Sequence, residues 1–535
     1  MSSQSTSFEN LTVMNRSTNT NPNDSSIKPD HYSDDNTQDL ENDGGNNSST
    51  ENTENTEKEP PVDPFLVQWD GKDDRENIQT QKPLFVRWFY AIIISASSIV
   101  LTCTSSIYSM AMTRVGEQFH KSHTVTSIGI CFFLLGMGWG PVFLAPISEF
   151  HGRRVVYIFS FLFMIPFQLM TGFANNMATL LIGRFLAGFA GSAFMGVASG
   201  SFSDLFNKDE IMLPVMMYTL TPFMGPGLGP LIGGFIVHDV NWRWTSHVMA
   251  IAIGVLLIFI TFVVPETYPP VLLKKKAQRL RKTLNDDRYY APIERSTQTL
   301  FASIFLSFKR PMMMLVLEPM LTLLCIYSGL LLALLYLFFV SYPYVFRTVY
   351  NFEETQVGLA FIGLVVGCIA AAPTVLINKL YIIPTCIKRN TKRNHVYEPE
   401  FQLPQTMVGA LIVPIGLFIF GWSAKPNLHW MGPVMGGGII LFGLIVCYNG
   451  IFAFTIDAYR TFAASAMACN GVVRSTVGSV FPLFGLQMYE NLGIPWATSL
   501  LAFICLVFVP MPIVLFKYGL QIRAKSKFAW SENYK

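Results

Sequence analysis

Charge is what this sequence has least of. Asp, Glu, Lys and Arg make up 14% of its 535 residues, against 51% hydrophobic, too few to solvate the several soluble domains that such a length otherwise suggests. The little charge there is lies unevenly. Residues 1–80 carry 17 acidic and 5 basic side chains, near −12, whereas the remainder carries 18 and 33, near +15. The acidic stretch also lacks apolar runs, so it cannot bury enough surface to offset chain entropy, and residues 1–84 read as a disordered tail. It contains no basic segment followed by a short apolar one, which argues against a cleavable signal peptide. Five glycosylation sequons, at Asn10, Asn15, Asn23, Asn46 and Asn47, all fall within it; in a cytosolic tail they are accidents of composition.

Signatures of enzymes are missing as well. There is no phosphate-binding Gly-rich loop ending in Lys-Ser/Thr, no His-Glu-x-x-His and no nucleophile elbow. The eight cysteines show no metal or redox spacing: seven lie in apolar segments and Cys386 in a basic loop, where small buried hydrophobes are the plain reading. No catalytic residue, metal, cofactor or nucleic-acid partner is expected.

What the sequence does have is apolar segments of spanning length, which for a helix is about 20 residues. They recur near 88–111, 125–147, 155–174, 178–200, 211–237 and 244–264, then near 312–342, 355–377, 405–423, 430–456, 463–488 and 494–516. The fold class is therefore an all-α membrane protein of about twelve transmembrane helices in two six-helix halves, 85–264 and 312–518. A basic linker, 265–311, joins the halves, and a short tail, 519–535, follows them. Arg153, Arg154, the run from Lys274 to Arg310, Lys379, Lys388, Arg389 and the tail lysines lie on one side, which places both termini in the cytosol. Within the linker, Val271 to Leu284 reads as a helix with leucines on one side and basic residues on the other, open to either lipid headgroups or water. A repeat relates the halves: Gly136-x-x-x-Gly140 with Pro146 in the second span matches Gly363-x-x-x-Gly367 with Pro373 in the eighth.

Three clusters interrupt the apolar pattern. After Gly136 and Gly140 come Glu149, Gly152, Arg153 and Arg154, in the turn between the second and third spans. So tight a group of acid and bases suggests a gate latch that pairs with the facing half in one conformation, with a carboxylate drawn to the start of the eleventh span; a bare topology signal is the plainer alternative. Arg184 stands inside the fourth span, where a guanidinium must face protein or water, or else snorkel to the outer surface. Gly225, Gly229, Pro230, Gly233 and Gly234 crowd the fifth span, a density that implies a bent, close helix contact.

In this order, the clusters resemble the major facilitator superfamily, more narrowly its twelve-helix drug:proton antiporter branch in fungi. Further matches are Trp242-Arg243-Trp244, Pro265-Glu266-Thr267-Tyr268-Pro269, Lys309-Arg310-Pro311, and Asp457-Ala458-Tyr459 through Asn470 and Arg474. The resemblance covers about 85–520 and implies export of small amphipathic or cationic molecules by alternating access, driven by protons, with the proton gradient as the only energy source. It implies a gate at Gly136, Gly140, Glu149, Gly152, Arg153, Arg154 and Asp457. For proton coupling the expectation is Glu318, two turns into the seventh span, with Arg184 and Arg474 as the other buried charges. Tyr218, Phe223, Tyr327, Tyr336, Asn449 and Asn470 are the candidates for contact with substrate. The expected setting is a monomer in the plasma membrane or, alternatively, the vacuolar membrane, in contact with lipid, protons and a small-molecule substrate. A nutrient importer of the same fold and a transport-dead sensor are the rivals.

Overall fold

The computed structural model describes residues 63–530 apart from 70–73, 75–76, 208–209, 296–298 and 391–395; the sequons lie outside the described residues. The first six spans are α1 (Leu84–Phe119), α2 (His123–His151), α3 (Arg153–Gly172), α4 (Met177–Leu205), α5 (Met212–Asp239) and α6 (Arg243–Phe262). Two helices follow, α7 (Pro269–Leu284) and α8 (Leu300–Leu317). The second set is α9 (Pro319–Tyr350), α10 (Glu354–Arg389), α11 (Pro399–Ser423), α12 (Met431–Ala458), α13 (Ala463–Leu492) and α14 (Ile494–Ala524). Among the described residues twelve helices are long and apolar enough to cross a membrane. They are not quite the expected twelve, for α8 is among them and α13 is not. Asn470, Arg474, Ser475, Thr476 and Ser479 dilute the apolar character of α13, yet it packs against α9 and α2 in the middle of the bundle.

Pairing of helices makes the two halves equivalent. In the first half α1 packs on α5, α2 on α4 and α3 on α6. In the second, α9 packs on α13, α10 on α12 and α11 on α14, the same order of spans. The glycine repeat belongs to this pattern. A Cβ on Gly136 would lie 2.3 Å from the Phe185 carbonyl of α4, and one on Gly363 would lie 2.6 Å from the Val434 carbonyl of α12. Two seams join the halves, α2 against α13 and α5 against α10. The ends of α1 and α14 that carry the chain termini define the terminal end of the bundle, and the opposite end is the far end.

Irregular backbone is resealed by side chains, as it must be where no water reaches. Helix α4 is interrupted at Ser192 and Val197, and the Tyr218 hydroxyl of α5 donates to the carbonyls of Phe194 and Met195 there at 3.0 and 3.2 Å.

Two boundaries differ from expectation. Residues 63–69 of the acidic tail are folded: Val67 packs against Ala277 and Ala291, and the Tyr290 hydroxyl donates to Asp63 at 2.6 Å, which holds that carboxyl below its usual range. The same contacts occupy the apolar side of α7, with Leu273 and Leu280 packed on this cluster, so that side is turned to protein rather than to lipid or water. The second half begins at Pro319 and not near 312, because α8 runs through 311 and breaks only at Glu318. Helix α8 lies on α2 and α13, with Phe308 against Trp139 at 6.2 Å between ring centroids.

Candidate functional site

At the terminal end, Gly152 turns α2 into α3 with φ +98°, a conformation that favours glycine. A Cβ there would also lie 2.2 Å from Glu266. Glu266 accepts the backbone N–H groups of Arg153 at 2.8 Å and Arg154 at 3.2 Å, and those of Thr267 and Tyr268 at 3.0 Å. A carboxylate therefore caps the positive start of α3. The Arg153 side chain donates to Ser148 at 2.8 Å and Asp204 at 3.3 Å and lies over the Tyr268 ring, while Arg154 donates to the Thr261 carbonyl. Glu149 stands exposed beside them. The arginines of the expected latch are thus held inside their own half, and the acid that caps a helix is Glu266 on α3 rather than Glu149 on the eleventh span.

The second half is equally self-contained at this end. Asp457 accepts from the Tyr397 hydroxyl and from Gln402. Glu318 lies in the break between α8 and α9, not two turns inside a helix, and is 2% exposed. Its oxygens accept from Ser526 Oγ at 2.7 Å, the N–H of Lys527 at 3.1 Å, the N–H of Phe528 at 3.3 Å and the Tyr459 hydroxyl at 3.3 Å. Arg523 grips Glu400 through two bonds of 2.8 and 2.9 Å and binds the Trp530 carbonyl. The final described residues are thereby folded onto the bundle, which shortens the free tail expected from 519.

Between the ends lies a layer of aromatic and cationic groups. Arg184 is 1% exposed and does not snorkel. It donates to the carbonyls of Gly129 at 3.2 Å and of Thr104 and Ser105 at 2.8 Å, with its guanidinium over the rings of Tyr108 and Phe133. Ser105 meets Tyr336 of the other half, hydroxyl to hydroxyl, at 3.0 Å. Phe223 faces Tyr448 across the halves at 5.2 Å. Arg474 lies over Tyr448 at 5.6 Å and Phe452 at 5.3 Å. Of the expected substrate contacts, Phe223 and Tyr336 are at the interface. Tyr327, stacked on Phe508 at 5.4 Å, and Asn470, bonded to Ser328 at 2.8 Å, pack inside the second half. Tyr218 is spent on the break in α4, and the Asn449 amide nitrogen is buried without a partner. Glu318, Arg184 and Arg474 do not share one site.

At the far end the halves are tied together. Arg114 of α1 and Arg347 of α9 reach Glu354 of α10 at 3.8 and 3.7 Å. Arg347 also donates to Thr113 at 3.1 Å, and Gln487 to Thr124 at 3.2 Å. The fifth-span glycines divide their work here. Gly225 and Gly229 admit Thr102 and Ser106 of α1, and Gly233 admits Ile107, whereas Gly234 faces Glu354 and Gly358 of the other half. Pro230 offers its carbonyl to the same contact, 3.0 Å from a Cβ on Gly358.

A paired-half bundle sealed across one end is the architecture the sequence resemblance implies. The Major Facilitator Superfamily family model matches residues 94–482. The chain belongs to the major facilitator superfamily. It is a multi-pass membrane protein of a family of transporters. Among its relatives, a protein named as a probable drug/proton antiporter of Saccharomyces cerevisiae is 42% identical over 461 residues, covering 86% of this chain and 89% of the relative. An efflux pump of Aspergillus terreus is 43% identical over 395 residues, 74% and 83% of the two chains. The E. coli xylose transporter, in a partially occluded inward-open conformation, superposes with TM-score 0.58 at 12% identity, over 81% of this chain and 99% of that one, a likeness of fold. Within this transporter, sequence reasoning missed Asp204, Glu266, Glu354, Ser105, Tyr448 and Phe452. Glu266 sat in a quoted motif without a role. Nothing local marks Tyr448 or Phe452 among 44 phenylalanines and 20 tyrosines.

Proposed function

We propose that this transporter exports small amphipathic molecules from the cytosol of a fungal cell by alternating access, with the inward flow of protons as the energy source. The observation that carries alternating access is the asymmetry of the two ends. Arg114 and Glu354 bridge the halves at the far end, while at the terminal end Arg153 pairs with Asp204 and Arg523 with Glu400, each within one half. With the terminal end placed in the cytosol by the bias of basic residues, this conformation is closed to the outside. Relatives named as a drug/proton antiporter and efflux pumps support export and proton coupling over nutrient import. In this reading the chain works as a monomer in the plasma membrane.

The test is a drug and polyamine sensitivity panel on deletion and overexpression strains, paired with uptake into inside-out vesicles under an imposed pH gradient. Resistance that tracks expression, and uptake that collapses with a protonophore, are the expected results. A sensor would leave both unchanged, and an importer would sensitise the overexpressing strain.

A further inference from the structure

Arginines buried in the helical bundle are provided for: Arg87 pairs with Glu210, and two others show the same. Arg184 has three backbone carbonyls, and Arg523 has the Glu400 carboxylate. Arg474, near the middle of α13, has neither. Its Nε is buried with no hydrogen-bond partner, and among the described residues no carboxylate pairs with it. Its guanidinium has the Tyr448 hydroxyl for company and lies against the faces of Tyr448 and Phe452. Tyr448, under the guanidinium, in turn faces Phe223 of the first half at 5.2 Å, so the group stands beside the interface.

Arg474 is half-buried; leaving its buried Nε without an acceptor is costly, and an anion that arrives with the right geometry removes the cost. Guanidinium presents a planar fork that matches a carboxylate through two parallel hydrogen bonds. The aromatic groups around it, Phe223, Tyr336, Tyr448 and Phe452, offer ring faces to a planar apolar body. Asn449, one and three residues from Tyr448 and Phe452 on the same helix, adds an unsatisfied amide donor at the flank. No acidic residue lies in the middle of any span. A cationic amine finds nothing here to neutralise it.

We propose that Arg474 is the recognition group of the transport site and that the site takes amphipathic organic anions, aromatic carboxylates above all, in preference to amines. This rests on the exporter reading above and gives it a substrate class.

The experiment uses the purified full-length transporter in lipid nanodiscs and three probes of one shape: 2-naphthoate, the uncharged 2-naphthamide and 2-naphthylmethylammonium. Binding is measured by calorimetric titration for the wild type and for Arg474→Gln and Arg474→Lys. The wild type should bind naphthoate at least tenfold more tightly than either other probe. Arg474→Gln should erase that preference while leaving naphthamide affinity within about threefold, and Arg474→Lys should keep part of it. Wild-type protein that binds the three alike, favours the amine, or binds none at millimolar concentration overturns the proposal without any variant having to fold. Equal loss for all three probes in Arg474→Gln also overturns it, since that marks a structural role. The exporter reading fails separately: it falls if the vesicle and strain assays show no transport, whatever naphthoate does, and it survives if other compounds are exported while naphthoate is ignored.

Discussion

Arg114, at the far end of α1, and Glu354, at the start of α10, meet at 3.8 Å across the boundary between the two halves. The pair is partly solvated, at 52% and 24% side-chain exposure, so its contribution is about 0.2–1 kcal/mol. That is small for stability but enough to bias two conformations of similar energy. Glu354→Gln removes the partner of both Arg114 and Arg347. It should raise the population open at the far end up to about fivefold, the equivalent of 1 kcal/mol. Labelling of a cysteine introduced on the cavity side of α9 with a membrane-impermeant maleimide reads this out. An unchanged labelling rate would show that packing alone closes this end.

The glycines of α5 should separate into two kinds. Gly225→Ala puts a methyl 2.0 Å from Thr102 inside the first half, so it should lower thermal stability in detergent whatever the conformation. Gly234→Ala meets the Glu354 carbonyl at 2.7 Å and Gly358 Cα at 3.1 Å, across the halves. It should leave the first half intact and oppose closure, raising the same maleimide labelling and slowing transport at least tenfold. Identical behaviour of the two variants would remove the distinction.

Glu266 satisfies four backbone N–H groups at the start of α3 and in its own loop. Glu266→Ala leaves them without an acceptor and removes a negative charge from a helix N-terminus, a loss of about 1–3 kcal/mol. A fall in melting temperature, with Arg153 no longer ordered against Asp204, is expected. Chemical denaturation that matches the wild type would reduce Glu266 to a surface charge.

Glu318 gathers donors from Tyr459 and from residues 526–528. Glu318→Gln and truncation after residue 525 should therefore destabilise the protein by the same mechanism, and combining them should cost little more than either alone. Protease cleavage beyond Arg523 should accelerate in Glu318→Gln. If the Gln variant loses proton-driven efflux that the truncation keeps, Glu318 is a coupling group and not an anchor for the tail.

Composition and period determined a great deal by themselves. Runs of apolar residues long enough to cross a bilayer have no stable alternative to helices, so the count, the division into halves and the glycine repeat were all legible. Gly136 and Gly363 could be matched because the need for close backbone contact is local, and only glycine meets it. Only the tertiary structure decided which partners the charges choose. Arg153 turned to Asp204, 51 positions along the chain, and Glu318 to residues beyond 525. Spacing in the sequence carries no trace of such meetings, because they depend on which helix ends the fold brings together. The same holds for which helices make up the twelve. Helix α13 is less apolar than α8 because its polar face is turned inward against α9 and α2, where Arg474 has no carboxylate partner among the described residues.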